Sequence, residues 1–218
     1  MPACNATYKN GISFHGWSNR TGYEHYFHPF PTMLDQYTAP QFYYNTRARR
    51  TGRDVAAHPD RFFLPTLLAA ERKKPVPSEN FPFPPSYGYH FDAYLVGEFL
   101  AQHATENLGV THIDCRIADV ERAADGDIVA LKGEDGRRIE GDFFLDCSGF
   151  HALIFDKILG ERFLPFDDNL FNDSAVVMPT PHLEGDVIAT RTRSTALSAG
   201  WCWDIPLTNR TGNGYVYS

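Results

Sequence analysis

The chain has 218 residues, of which 43% are hydrophobic and 22% are charged, which is ordinary for a soluble globular protein of one or two domains. Its formal net charge of −7 argues against a nucleic-acid-binding surface. No apolar stretch approaches the length of a membrane span, and no signal peptide is visible, so the sequence indicates neither a membrane protein nor a secreted one.

The four cysteines form no CxxC pair and have no zinc-ligand spacing. They are Cys4, Cys115, Cys147 and Cys202. We therefore predict free thiols in a reducing cytoplasm, and no metal site.

The first part of the chain alternates predicted strands with a helix and a loop. Residues 12–17 (ISFHGW) alternate bulky and small side chains and predict a strand, and residues 22–30 predict a short strand that runs into a loop. Residues 41–52 have helix-compatible spacing, with arginines near the end and a glycine after it. Five prolines between Pro75 and Pro85 predict an extended loop.

The strongest helix signal in the chain covers residues 91–104. Apolar side chains recur there at helical spacing, and Asp92 suits the first turn. Three strand-like runs follow, at 112–123, 126–133 and 137–149, and the ADG and EDG sequences between them predict hairpin turns.

The last third predicts one helix and then only strands. The helix covers 151–159, and the strands cover 172–178, 187–193, 200–206 and 214–218. The chain therefore predicts a mixed α/β fold with an antiparallel sheet in its C-terminal half. It has no GxGxxG sequence, and so no complete dinucleotide-binding turn.

The sequence GWCWDIP, at residues 200–206, places two of the three tryptophans two positions apart. In a strand, Trp201 and Trp203 would form one aromatic wall, with Cys202 and Asp204 on the other face. Pro206 cannot donate a ladder hydrogen bond, so the strand should end or reach an edge there. The pair fits a buried core strand, and it also fits a wall beside a flat ligand.

Six stretches resemble the flavin-dependent halogenases, in the tryptophan-halogenase branch. They are CNATYK, FHPF, YHFDAYLVGEFL, DFFLDCSGF, FNDSAVVM and GWCWDIPLTNRTGNGYVYS. The family signature WxWxIP is met by Trp201, Trp203, Ile205 and Pro206, and it separates halogenases from hydroxylases of the same flavin-binding fold.

The resemblance implies an incomplete fold of the FAD-binding, monooxygenase-like type. Family members are longer. They begin with a GxGxxG unit, and they continue past the GYVYS strand to a glutamate and a halide-binding loop. This chain is therefore expected to be a central segment of such a protein. It further implies a substrate-side insertion at about 20–90, part of the FAD-binding core at 91–160 and the WxWxIP sheet at 170–218.

The resemblance also implies roles for three residues near the N-terminus. Lys9 stands at the family's catalytic lysine, which receives hypohalous acid; an ordinary exposed lysine is the alternative. His28 and Phe30 match the pair that sandwiches the indole, and local packing beside Pro29 is the alternative. The catalyst would use FAD, reduced by a separate flavin reductase, together with chloride or bromide.

The remaining implied roles concern the flavin. Trp201 and Trp203 would lie beside the isoalloxazine ring and a tunnel, and would shield both. The turn after DFFL would contact FAD through Asp146, Cys147, Ser148 and Gly149. A carboxylate that only caps the turn is an equal alternative for Asp146. Ile117 and Val120 stand where such folds approach the adenine.

Three functions remain open from the sequence. The first is halogenation of tryptophan, another indole or a related arene. The second is hydroxylation by a flavin monooxygenase, which should lack both Lys9 and the tryptophan wall. The third is an inactive fragment that does not hold FAD. Even under the first function, we expect these 218 residues alone neither to hold FAD tightly nor to halogenate, because they lack the glycine-rich turn for the pyrophosphate. The sequence does not distinguish between substrates, between chloride and bromide, or between a monomer and a homodimer.

Overall fold

A computed structural model describes residues 2–218 of the chain. It divides into two compact units: residues up to Gln102 together with Leu170–Ser218 form the first unit, and His103–Asn169 form the second.

The strands and helices follow one another in this order. The strands are β1 (Thr7–Lys9), β2 (Gly11–His15), β3 (His25–Pro29), β4 (Gly88–His90), β5 (Ile117–Arg122), β6 (Ile128–Gly133), β7 (Arg138–Glu140), β8 (Ser174–Thr180), β9 (Thr192–Leu197), β10 (Gly200–Pro206) and β11 (Thr211–Tyr217). The α-helices are α1 (Ala39–Arg50), α2 (Leu64–Ala70) and α3 (Ala93–Asn107). Short 3-10 turns cover Pro2–Cys4, Leu34–Tyr37, Pro59–Arg61 and Gly149–His151, and a π-helical segment covers Leu153–Ile158.

The first unit is built on a six-stranded sheet in the order β3-β2-β9-β10-β11-β8. Its neighbouring strands run antiparallel except β2 and β9, which are parallel. The helix α2 packs against β2 and β3, where Phe27, Phe63 and Ala69 are buried. The strands β1 and β4 form a separate antiparallel pair.

The strand β10 confirms the prediction for GWCWDIP. It is paired on both sides, so its pleat is regular, and the indole rings of Trp201 and Trp203 lie on one face with centroids 5.9 Å apart. Cys202 and Asp204 take the alternate positions, and Arg193 forms an ion pair with Asp204 at 2.5 Å. The strand ends at Pro206, as predicted.

Five aromatic side chains follow one another across the sheet of the first unit; we call them the aromatic row. They are Tyr26, Phe14, Trp17, Trp201 and Trp203. Successive ring centroids lie 4.7, 5.9, 6.2 and 5.9 Å apart. These separations are those of favourable aromatic contacts, so the tryptophan pair is one end of a longer apolar surface.

The second unit contains the antiparallel sheet β5-β6-β7, with Val120 and Ala130 buried in it. Its two hairpin connections are those predicted from ADG and EDG. Among residues 2–218, no helix combines the length and the apolarity that crossing a lipid bilayer requires.

The predicted strand 137–149 is wrong over most of its length, because only Arg138–Glu140 is a strand. A strand needs a hydrogen-bonding neighbour, and no strand of the described chain pairs with 142–147. Phe143 and Leu145 are accordingly 80% and 76% exposed, so DFFL is not the buried strand that the resemblance implied.

The predicted strand 187–193 is also misplaced, because the strand begins at Thr192 and ends at Leu197. Its pairing explains the difference. The ladder with β2 begins where Ile12 meets Thr192, and just before it Thr190 binds Asn10 instead: the Asn10 N–H donates to the Thr190 carbonyl at 2.7 Å.

The other predictions hold with changed limits. The predicted helix 151–159 is a π-helical segment, preceded by Ala152 in the left-handed region at φ 42°. The predicted strand 112–123 is shortened to Ile117–Arg122. The strands β1 and β4 and the helix α2 were not predicted.

Candidate functional site

Lys9 ends β1, opposite Gly88 of β4. Its Nζ lies 5.6 Å from the centroid of the Phe30 ring, a cation–π distance. The side chain is half-buried, and desolvation lowers the pKa of its ammonium group. A Cβ at Gly88 would lie 3.2 Å from the Phe30 ring, so the glycine gives this ring its place beside the amine. The structure thus brings together the predicted Lys9 and Phe30, and adds Gly88.

A buried hydrogen-bond chain lies two residues from Lys9. Thr7 and His90 are paired across β1 and β4, and the Thr7 Oγ1 lies 3.0 Å from the His90 Nδ1. The Thr7 hydroxyl also donates to the Pro206 carbonyl at 2.6 Å, so its oxygen must accept from Nδ1–H. The His90 Nε2 lies 2.9 Å from the Thr192 hydroxyl, and in a neutral ring it accepts from that hydroxyl.

A neutral imidazole with its proton on Nδ1 fits this chain of bonds. Burial and, to a smaller extent, the charge of Lys9 lower the pKa of His90 to about 4. The chain also joins the strand of Lys9 to Pro206, the last residue of the WxWxIP sequence. Sequence reasoning singled out neither Thr7, His90 nor Thr192, although His90 lies within the YHFDAYLVGEFL stretch used for the resemblance.

Phe30 follows β3, and its backbone N–H donates to the carbonyl of Asn10 at 2.9 Å. Asn10 is fully buried, and its Nδ2 binds the Thr190 hydroxyl and the Lys73 carbonyl at 2.9 and 3.1 Å. This anchor fixes the backbone on which Phe30 is held. His28 is exposed opposite Ile12, on the face that carries the Phe14 and Tyr26 rings.

The tryptophan pair is held by its neighbours in the sheet. Trp203 lies opposite Gly214, and a Cβ at that position would come within 1.9 Å of the indole ring. The Trp17 Nε1–H donates to the Ser194 carbonyl at 3.2 Å, which places its ring beside Trp201. Ile205 is half-buried and Pro206 is buried, so the end of β10 is packed while both indoles stay partly accessible.

In the second unit, Asp146 caps the segment that follows it. Its Oδ1 accepts from the Ser148 N–H and hydroxyl at 3.0 and 2.6 Å, and its Oδ2 accepts from the N–H groups of Ile154 and Phe155 at 2.9 and 3.1 Å. These bonds, the Ser148 hydroxyl first, lower the pKa of Asp146 to about 2. Asp146 therefore caps the turn, which is one of the two roles considered for it. A contact between Asp146 and FAD stays a prediction.

The rest of this turn is open. Cys147, Ser148 and Gly149 are exposed, Gly149 has φ 64°, and nothing lies within 4 Å of the place of a Cβ there. Val120 is buried and Ile117 is half-buried at the start of β5. Their contact with the adenine stays a prediction.

The aromatic row of the first unit and the turn at Gly149 of the second unit each have features that suit contact with a flavin. The aromatic row offers partly accessible ring faces, which suit stacking with a planar ring system, and the bare backbone at Gly149 permits close approach. Asp146 offers little, since its four lone-pair sites are already used. Within residues 2–218 no group of three or more His, Cys, Asp or Glu side chains is placed to hold a metal ion.

Comparison with known proteins identifies relatives along the whole chain. The family model described as tryptophan halogenase matches residues 1–218. The tryptophan 7-halogenase RebH of Lentzea aerocolonigenes is 34% identical over 230 residues, which cover 100% of this chain and 43% of RebH.

Solved structures agree. BrvH, a flavin-dependent halogenase from Brevundimonas sp. BAL3, superposes with a TM-score of 0.81 at 35% identity, over 100% of this chain and 44% of that one. Xcc4156, a flavin-dependent halogenase from Xanthomonas campestris, gives 0.79 at 39% identity, over 100% and 43%.

These likenesses confirm the mixed α/β fold with its C-terminal antiparallel sheet and the predicted resemblance. The chain spans less than half of the length of the relatives it matches, 43% in the case of RebH. A match of the family model to every position, together with relatives above 30% identity that cover the whole chain, is decisive. The chain belongs to the tryptophan halogenase family.

Proposed function

We propose that this chain carries the lysine and tryptophan parts of a flavin-dependent halogenase that chlorinates or brominates an electron-rich arene, tryptophan or another indole. The observation that carries the proposal is the placement of Lys9: a half-buried amine beside the Phe30 ring, on a strand tied to the end of the WxWxIP strand. RebH, a relative by sequence, is a tryptophan 7-halogenase.

Lys9 is the residue that handles the oxidising halogen species in this proposal. When bound and reduced by a separate flavin reductase, FAD would supply the oxidation of halide to hypohalous acid with O₂. The Lys9 ammonium has three donors for that acid, and its lowered pKa makes the neutral, nucleophilic amine easier to form. In either form, the strand β1 holds the nitrogen near the place where an aromatic substrate would lie.

His28 and Phe30 hold the arene in this proposal. Phe30 has an aromatic face for offset stacking, and its backbone is fixed through the buried Asn10. Stacking suits any indole or phenol, so these two residues favour flat electron-rich rings in general.

Trp201 and Trp203 keep two reactions apart. The indole rings and their neighbours in the aromatic row present a continuous apolar surface, which would exclude water from a flavin bound against it. Such a surface admits a small oxidant and keeps the organic substrate from the cofactor, which disfavours hydroxylation. Cys147, Ser148 and Gly149 provide the exposed backbone that would approach FAD in the second unit.

We also propose the domain organisation that the sequence resemblance implies. Residues 20–90 would form the substrate side, 91–160 part of the FAD-binding core, and 170–218 the sheet with the tryptophan wall. The four cysteines are free in the structure, and a reducing cytoplasm is the location that we expect for the protein.

The test is a product screen. A full-length halogenase that contains this segment is incubated with FAD, a flavin reductase, NADH and either chloride or bromide, against a panel of indoles and phenols. Products are identified by mass spectrometry. We expect a halogen isotope pattern that requires halide and is lost in Lys9→Ala. Hydroxylated products that form without halide would instead establish the monooxygenase alternative, and an absence of bound FAD would establish the inactive one.

A further inference from the structure

His90 is a buried titratable side chain that the proposed chemistry does not use. It lies opposite Thr7 on the β1–β4 pair, and Lys9 is two residues further along β1. Residues two apart in a strand share a face, so Thr7, His90 and Lys9 lie on the same side of this pair. The three are therefore neighbours on a small two-stranded sheet, whose ends are also held by backbone hydrogen bonds of Asn10 to Thr190 and of Asp92 to Cys4.

The hydrogen bonds of His90 fix this sheet at two points. Through Thr7 it reaches the Pro206 carbonyl at the end of β10, and through Nε2 it reaches Thr192 at the start of β9. Thr7, His90 and Thr192 are all buried, at 8%, 4% and 9% exposure, so loss of one bond would leave a buried polar group without its partner. The route Thr192–His90–Thr7–Pro206 has one direction of donation throughout.

We propose that His90 is a positioning residue for Lys9: its neutral imidazole, bonded on both sides, locks β1 to the ends of β9 and β10 and so fixes the Lys9 amine relative to the tryptophan strand. This inference rests on the proposed function, because the role of Lys9 does. It adds that the amine is placed by a buried relay of hydroxyl and imidazole groups.

The charge state of the imidazole follows from its surroundings. Lys9, on β1, is the charged group that acts on His90, while β9 and β10 contribute a hydroxyl and a carbonyl. A neutral ring satisfies the Thr7 oxygen and the Thr192 hydroxyl together. It also leaves Lys9 without a charged neighbour in this relay.

The test compares Thr7→Val with Thr7→Ser. Valine has the shape of threonine but removes the hydroxyl, whereas serine keeps it. Two quantities are measured: the pKa of Lys9, from the pH dependence of its acylation by a neutral reagent read by mass spectrometry, and the halogenation kcat beside the rate of flavin oxidation.

We expect Thr7→Val to raise the pKa of Lys9 towards that of an exposed lysine, and to lower kcat by about 10- to 100-fold with flavin oxidation unchanged. Thr7→Ser should restore both values. Asn213→Ala, which removes a 2.7 Å bond to Thr180 elsewhere in the sheet, is the control and should change neither.

Thr192→Val provides a second route if Thr7→Val does not fold, since it removes only the bond at Nε2, and we expect the same two changes in smaller size. Equal behaviour of the valine and serine variants, or an unchanged Lys9 pKa in both valine variants, would overturn the inference. If the wild type halogenates nothing, the proposed function fails, and the acylation measurement still decides whether His90 positions Lys9.

Discussion

The stability of the protein should fall between pH 6.5 and pH 4 because of His90. The ordinary pKa of histidine is 6.5, and burial lowers that of His90 to about 4. Between these values the unfolded chain binds a proton at this site and the folded chain does not, so the free energy of unfolding rises with pH. The stabilising effect is complete above pH 6.5 and is lost as the pH falls towards 4.

The size of the effect follows from the same two values. The interval between 6.5 and about 4 corresponds to a free energy of about 3 kcal/mol, at about 1.4 kcal/mol for each pH unit. This is a large part of the stability of an ordinary domain, which is about 5–15 kcal/mol. His15, whose pKa is also lowered by burial, acts with the same sign.

The assay is urea denaturation at half-unit steps from pH 4 to pH 7.5, on the wild type and on His90→Gln. Glutamine does not titrate, so the difference between the two proteins isolates His90, while His15 and the carboxylates contribute equally to both. We expect the wild type to lose about 3 kcal/mol more than the variant across the window. Parallel curves for the two proteins would refute the neutral, buried imidazole.

Three further predictions concern single residues. In the full-length context, Lys9→Ala should abolish halogenation while reduced flavin still consumes oxygen, which product analysis and an oxygen electrode measure together; arene halogenation at the parent rate would contradict the assignment. Phe30→Ala should weaken substrate binding by about 1 kcal/mol with little change in kcat, and an unchanged KM for every accepted arene would make its role one of packing. Gly214→Ala should cost about 3 kcal/mol of unfolding free energy because its Cβ would enter the Trp203 ring. Gly97→Ala, in open space on α3, should instead gain about 0.5–1 kcal/mol, and similar denaturation midpoints for the two variants would show that the Trp203 ring can move aside.

Local signals in the sequence predicted the elements that depend on local chemistry. The spacing of apolar side chains indicated α3, the turn sequences indicated the hairpins of β5, β6 and β7, and the alternation in GWCWDIP indicated β10 with its residue limits. The errors arose where a segment becomes a strand only if another strand pairs with it. The run 142–147 has strand-like composition and no partner strand, and β9 is shifted because Asn10 binds the residues before it.

The site divides in the same way. Lys9, Phe30 and the tryptophans belong to short motifs that a resemblance can match residue by residue. The relay cannot be read in this manner, because Thr7 and His90 are 83 positions apart and His90 and Thr192 are 102 apart. A buried histidine and two threonines have no spacing rule; their meaning comes from tertiary contact alone.

The parallel pairing of β2 with β9 has a consequence for synthesis of the chain on the ribosome. Ile12 of β2 pairs with Thr192 of β9. The strand β2 therefore lacks its second neighbour until the ribosome has made the residues up to β9. At about 5–20 residues per second, translation of the intervening stretch takes roughly 10–40 s. During that time the β2–β3 hairpin, with Phe14 and Tyr26 on one face, lacks β9 and the tryptophan strand beyond it. A nascent chain in this state offers an apolar hairpin edge, which is the kind of surface that chaperones recognise, and its yield in cells should depend on them.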